Sequence, residues 1–166
     1  MFNIIPGNPK CNEIAQGEPI EDLSEAIEIL YPMEADDMIL QWRGKELKLQ
    51  YKYDLCVIIA DILDVLEKLT DKDRRKIEVR FGSDTFNADW EIEVVDEDLR
   101  ITSDWHSVVV ADESEFNEIY TVTVPKRKFV QDWMIILKII NSDIQKSHFY
   151  IEDRSDLERL QRLMLF

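Results

Sequence analysis

Residues 54–69, DLCVIIADILDVLEKL, constrain the fold more than any other stretch of this chain. Apolar side chains recur there at helical spacing and charged side chains collect on the opposite side, as in a helix with one buried face. Asp54 has the position and the short carboxylate of a helix N-cap. The sequence therefore predicts a helix over Asp54–Leu69 that lies at the centre of the core. Its apolar stripe consists of Leu55, Ile58, Ile59, Ile62, Leu63, Leu66 and Leu69.

A β-hairpin is predicted immediately before this helix, over Asp37–Tyr53. Apolar and polar side chains alternate there, which is the pattern of strands with one buried face. Gly44-Lys45 can form a two-residue turn, and that turn places Trp42 opposite Leu47. One side of the hairpin is then apolar throughout.

A meander of four or five strands is predicted after the helix, over residues 77–81, 89–95, 99–105, 107–111 and 117–124. In the second strand, carboxylates alternate with apolar side chains, so they point to the solvent side of the sheet. A turn at Glu97-Asp98 would place Glu91 opposite Asp104. Like charges that face each other across strands destabilise a sheet, so this face is kept acidic despite a local cost.

The whole chain is predicted to be one α+β domain, because 166 residues are the usual length of a single domain. Residues 1–19 contain three prolines and two glycines and are expected to be an irregular lead-in. Further helices are predicted over Ile20–Leu30, over Lys126–Ile140 and from Ser155 onward. The sheet, a hairpin plus a four- to five-stranded meander, is expected to be largely antiparallel and packed by the helices.

The net charge of −15 is concentrated in two blocks. Glu13–Asp37 holds nine carboxylates and no Lys or Arg, and Asp84–Glu118 holds twelve carboxylates against one arginine. The rest of the chain is net positive. A clustered anionic surface attracts a cationic partner at long range and repels nucleic acid. The residues predicted to bind such a partner are Asp89, Glu91, Glu93, Asp96, Glu97, Asp98 and Asp104.

A metal-dependent hydrolase is the main alternative, because strand carboxylates can hold a divalent cation. A nuclease with an acidic residue followed two places later by Glu-x-Lys would need a lysine where Glu93 stands. The two histidines, His106 and His148, accompany no recognisable nucleophile, so an ordinary polar role is expected for each. No enzyme activity, metal or cofactor is expected.

The two cysteines have no metal-ligand spacing, which favours a reduced, cytoplasmic protein. Cys11 has Lys10 beside it, a setting that lowers a thiol pKa modestly, although a spectator role is the better interpretation. The first residues lack the pattern of a secretory signal, and no apolar run is long enough to span a bilayer. Neither export nor a membrane partner is expected.

In size, acidity, lack of catalytic motifs and α+β composition, the whole chain resembles the cytoplasmic immunity proteins encoded beside bacterial toxins, including those of contact-dependent growth inhibition. The resemblance implies a cognate toxin domain, often a nuclease with a basic active site, that is bound tightly and neutralised. The acidic face would then act as a decoy for phosphate. No individual residue is transferred from that family, so the predicted site stands on the strand pattern alone.

A third possibility is a structural or adaptor domain that self-associates through an apolar edge strand or the terminal helix. The oligomeric state expected from the sequence is a monomer or a weak homodimer.

Overall fold

The computed structural model describes residues 1–12, 19–109 and 121–165. Seven strands and four α-helices lie within these ranges. The strands are β1 (Phe2–Ile5), β2 (Met38–Trp42), β3 (Lys45–Leu49), β4 (Lys76–Gly82), β5 (Phe86–Val95), β6 (Asp98–Val108) and β7 (Thr121–Pro125). The helices are α1 (Leu23–Leu30), α2 (Cys56–Thr70), α3 (Lys126–Ser147) and α4 (Ser155–Leu163). The predicted α+β class is confirmed.

The strands form two antiparallel sheets, one of order β1-β2-β3 and one of order β4-β5-β6-β7. The predicted hairpin is β2–β3, and β1 adds a third strand to it. The prediction of an irregular lead-in over residues 1–19 is therefore wrong for Phe2–Ile5. Four residues are too few for alternation to be recognised, and this strand depends on the partner that β2 supplies, with Phe2 opposite Trp42.

The hairpin turn is Arg43-Gly44 rather than the predicted Gly44-Lys45, so Trp42 faces Lys45 and not Leu47. Both turn residues have positive φ, 51° and 90°, as a two-residue turn of type I′ requires. The predicted register is wrong by two residues. A shift of two keeps every side chain on the same face, and the apolar face was therefore identified correctly.

The same error occurs at the β5–β6 turn, which is Asp96-Glu97 rather than Glu97-Asp98. Asp96 adopts the positive φ of 54° that this tight turn needs. Glu91 consequently faces Thr102, and the carboxylate opposite Asp104 is that of Asp89. The strands predicted over 99–105 and 107–111 are one strand, β6, as far as Val108, and residues 110–120 lie outside the described ranges.

The predicted central helix is α2, but it begins at Cys56, after a π-helical turn over Tyr51–Leu55. Asp54 lies in that turn and is not the N-cap of α2. It is buried, and it accepts a hydrogen bond from the backbone N–H of Gln50 at 2.7 Å. Its other oxygen accepts bonds from the hydroxyls of Ser83 and Thr85. This carboxylate therefore joins the start of α2 to the β4–β5 loop.

The core lies where the two sheets and the helices meet. Trp42 of the three-stranded sheet contacts Trp90 and Trp105 of the four-stranded sheet, with ring centroids 5.3 and 5.0 Å apart. Helix α2 packs on β4, and α3 packs on β1 and β7. One face of the four-stranded sheet is thereby covered, and its other face is open.

Within the described ranges no helix, including the 22-residue α3, is long and apolar enough to cross a bilayer.

Asp54→Ala should lower the free energy of unfolding by about 2–4 kcal/mol, because it removes the buried carboxylate that accepts from a partly buried N–H group and two hydroxyls. Urea denaturation followed by tryptophan fluorescence measures the loss. Asp64→Ala is the matched control, since it removes only a partly exposed ion pair with Lys68 and should cost less than about 0.5 kcal/mol. Equal losses in the two variants would contradict the role assigned to Asp54.

Candidate functional site

The open side of the four-stranded sheet, called the outer face here, carries the carboxylates that the sequence singled out. Asp89, Glu91 and Glu93 alternate along β5 with the buried side chains of Trp90 and Ile92. The predicted alternation of this strand is confirmed. The three carboxylates are partly exposed and lie on the solvent side of the sheet.

Each of these three carboxylates has a basic partner from a neighbouring strand. Lys76 of β4 lies 2.8 Å from Glu91, and Arg100 of β6 forms an ion pair with Glu93.

Asp89 has two such neighbours, since His106 Nε2 lies 2.8 Å from its carboxylate and Arg80 Nε lies 3.7 Å away. The centre of the outer face is therefore a network of both signs and not a bare acidic strip. These partners were not predicted from the sequence, because they become neighbours only once the strand register is known.

The other four predicted residues have no such partner. Among the residues that the structure describes, no Lys, Arg or His lies within salt-bridge distance of Asp96, Glu97, Asp98 or Asp104. All four are exposed. The first three cluster at the β5–β6 turn, whereas Asp104 lies six residues further along β6, roughly 20 Å away at the rise of an extended strand. The predicted site is thus divided into two parts. The turn cluster consists of Asp96, Glu97 and Asp98, and the central part surrounds Asp104.

The central part is a groove of about 550 Å³. We call it the sheet groove. It brings Asp104 together with Asp89 and Glu91. It also contains Glu78 and Arg80 of β4, which were not among the predicted partner-binding residues. The alternation Lys76-x-Glu78-x-Arg80 on the exposed side of a strand was the signal that could have identified them.

The sheet groove is suited to a positively charged group. Four carboxylates and a single guanidinium line it, and Asp89 and Asp104 face each other directly across β5 and β6. Measured cross-strand pairs change the stability of a sheet by about 0.2–1 kcal/mol. Like charges in this position should therefore destabilise the sheet by a few tenths of a kcal/mol or more. A lysine or arginine side chain placed between them would remove that repulsion and would find oxygen acceptors on both strands.

The tryptophans of the meander do not contribute to the outer face. Trp90 and Trp105 would be candidate anchors for a partner if they were exposed, but both are buried, at 1% and 8% exposure. Tyr53 and Val57 are exposed and line a separate cavity. That cavity, of about 420 Å³, lies at the start of α2 and was not predicted.

Within the described residues, no group of three or more His, Cys, Asp or Glu side chains is arranged to hold a metal ion. The carboxylates proposed for that role, Asp89, Glu91 and Glu93, instead have the basic partners described above.

Cys11 and Cys56 are both free thiols. The expectation that a neighbouring lysine lowers the pKa of the Cys11 thiol is wrong. Partial removal of solvent and, secondly, Asp143 raise this pKa to about 11; Asp143 acts by accepting a hydrogen bond from the thiol and by its negative charge. Lys146 acts in the opposite direction but is the weakest influence. The thiolate is thus disfavoured at neutral pH, in agreement with a spectator role.

Comparisons of the chain with protein-family models, with curated proteins and with solved structures found no match.

Alkylation of Cys11 by iodoacetamide should become half-maximal near pH 11, because the thiolate is the reactive form. Asp143→Asn should move this midpoint downward, since it removes a negative charge that raises the thiol pKa. The rate is measured by intact-mass spectrometry, with the buried Cys56 as the internal reference. A midpoint at the usual thiol value of about 8.5 would contradict the assignment.

Proposed function

We propose that this chain is a binding protein without catalytic activity, and that it binds a basic protein partner through the sheet groove. The observation that carries the proposal is Asp104, an exposed carboxylate that faces Asp89 across the strands and has no basic partner among the residues that the structure describes. A partner's lysine or arginine would relieve this repulsion, so binding and local stability are coupled.

The groove can accept such a group at little cost. Arg80 is the guanidinium inside it, and this side chain is 73% exposed and 3.7 Å from Asp89. An exposed ion pair of this length contributes little stability, typically about 0–1 kcal/mol. The guanidinium can therefore move aside when a partner's cation enters.

The charge of the whole molecule acts before contact is made. A net charge of −15 attracts a cationic partner over distances longer than any hydrogen bond, and this attraction raises the association rate constant. The three carboxylates of the turn cluster, Asp96, Glu97 and Asp98, extend the negative potential along the sheet. The association rate constant should consequently fall as salt is added.

The partner class that fits these properties is a toxin domain with a basic substrate-binding surface, such as a nuclease. The carboxylates would take the place of substrate phosphates there, as in the immunity proteins that the sequence resembles. We propose that this neutralisation takes place in the cytoplasm of a bacterial cell. Two free cysteines are consistent with a reducing compartment.

The proposal is tested with tagged protein, captured from source cells at low and at high salt and followed by mass spectrometry of the bound proteins. We expect one basic polypeptide to be recovered. The double variant Glu91→Gln/Asp104→Asn should reduce its association rate constant and weaken its affinity by about tenfold or more, since two charges in the groove are lost. Surface plasmon resonance against the purified polypeptide gives both values.

The control variant is Glu34→Gln/Glu152→Gln, which changes the net charge equally at exposed positions outside the sheet. It should change the association rate constant slightly and the dissociation rate constant not at all. Equal effects of the two double variants on affinity would mean that only net charge matters and would overturn the groove as the binding site. Recovery of no specific polypeptide at either salt would overturn the function itself.

A further inference from the structure

We propose that the free edge of β4 pairs with β4 of a second copy of this chain, in one antiparallel register, to form a symmetric dimer. β4 is the terminal strand of its sheet. An open strand edge presents unpaired N–H and C=O groups that can bind another strand. The proposal does not depend on the binding of a basic partner.

The backbone of β4 shows which of its groups are available. The N–H of Val94 donates to the C=O of Arg75 at 2.9 Å, and these residues belong to the same register that pairs Lys76 with Glu93. Antiparallel strands alternate between hydrogen-bonded and non-hydrogen-bonded pairs. The odd-numbered residues of β4 therefore bond to β5, and the even-numbered residues direct their backbone groups to the open edge.

Those even-numbered residues are Lys76, Glu78, Arg80 and Gly82. Their edge N–H and C=O groups have no backbone partner within the described ranges. Lys76, Glu78 and Arg80 place their side chains on the outer face, where Glu78 and Arg80 are each 73% exposed. The edge thus offers a row of backbone donors and acceptors together with alternating charges.

One register pairs all four edge residues within β4 and opposes no like charges. With a twofold axis through Val79, Glu78 of one copy faces Arg80 of the other, twice, and Lys76 faces Gly82. All four edge residues then lie in hydrogen-bonded pairs. Opposite charges at facing positions stabilise a strand pair. Gly82 has open space where a side chain would stand, so the long Lys76 side chain is accommodated.

The neighbouring registers are disfavoured by the same charges. An axis through Glu78 would place the two copies of that glutamate opposite each other and Lys76 opposite Arg80. An axis through Arg80 would place two arginines together. Like charges directly opposite are destabilising, so both of these registers are disfavoured. An axis through Ile77 would pair Lys76 with Glu78, but it would leave Arg80 and Gly82 without a partner residue in β4. Edge charges normally prevent strand addition, and here they also select a single partner strand, β4 itself.

The interface joins two four-stranded sheets into one of eight strands. Val79 lies on the axis in a non-hydrogen-bonded pair, where Cα atoms are about 4.5 Å apart. It belongs to the inner face of the sheet and is partly buried in the single chain. The two valines would contact each other and add apolar burial to the hydrogen bonds.

Sedimentation velocity of the wild-type chain, from micromolar to millimolar concentration, tests the proposal. We expect a reversible monomer–dimer equilibrium. Glu78→Arg and Arg80→Glu should each weaken dimerisation by about tenfold or more, because both cross-strand pairs change from attraction to repulsion. The double variant Glu78→Arg/Arg80→Glu restores opposite charges across the axis, so it should return the dissociation constant to within about threefold of the wild-type value.

The control Glu34→Arg makes the same charge change as Glu78→Arg, but at an exposed position outside the sheet. It should leave the monomer–dimer equilibrium unchanged. A wild-type chain that remains monomeric at millimolar concentration would overturn the proposal. A dimer that neither single variant weakens, or that the double variant fails to restore, would show that a different surface is used.

Disulfide trapping gives a second readout that does not depend on charge. Val79→Cys in a Cys11→Ser background should form a covalent dimer on mild oxidation, since the Cα separation of a non-hydrogen-bonded pair lies within the range that a disulfide spans. Val95→Cys, at an exposed position away from the edge, is the control. Equal yields of covalent dimer at positions 79 and 95 would contradict pairing at β4.

Discussion

The contact of Trp42 with Trp90 and Trp105 is the interaction on which the rest of this structure depends. It joins the three-stranded sheet to the four-stranded sheet, so that the first covers one face of the second. Large aromatic side chains bury much apolar area and hold their neighbours in defined geometries. The inner face of the four-stranded sheet packs against the other sheet. The side chains of β4, β5 and β6 that alternate with the inward-facing ones must therefore point outward, and these carry the charge.

Much of this arrangement follows from local sequence patterns. The apolar stripe of α2 and the alternation of β5 each depend on the period of one element, and both predictions are confirmed. What failed was the pairing between elements. Both turns were placed one residue too late, because Arg43 and Asp96 occupy positive-φ positions that a scan for glycine does not detect. Each error shifted the register of its strand pair by two residues. The side chains were therefore assigned to the correct face of the sheet but to the wrong cross-strand neighbours.

The change of neighbours matters most at the candidate site. From the sequence, β5 reads as an isolated row of carboxylates, whereas in the structure Lys76, Arg100 and His106 lie beside them. Long-range ion pairs of this kind have no local signal. The position of Asp104 is likewise a property of the register, since this residue faces Asp89 only once the turn has been placed correctly. The acidity of the molecule was evident from the sequence, but the position of the groove was not.

Titration of the 15N-labelled protein with a short tetra-lysine peptide tests the central claim most directly, because it asks where on the surface a cation is bound. We expect the backbone amide shifts at low salt to be largest for Asp104, Thr102 and Glu91, and to diminish as salt is added. Shifts of equal size at α1, where the other acidic block contributes Glu25 and Glu28, would contradict it. Such a result would mean that the net charge of the molecule, and not the sheet groove, attracts the partner.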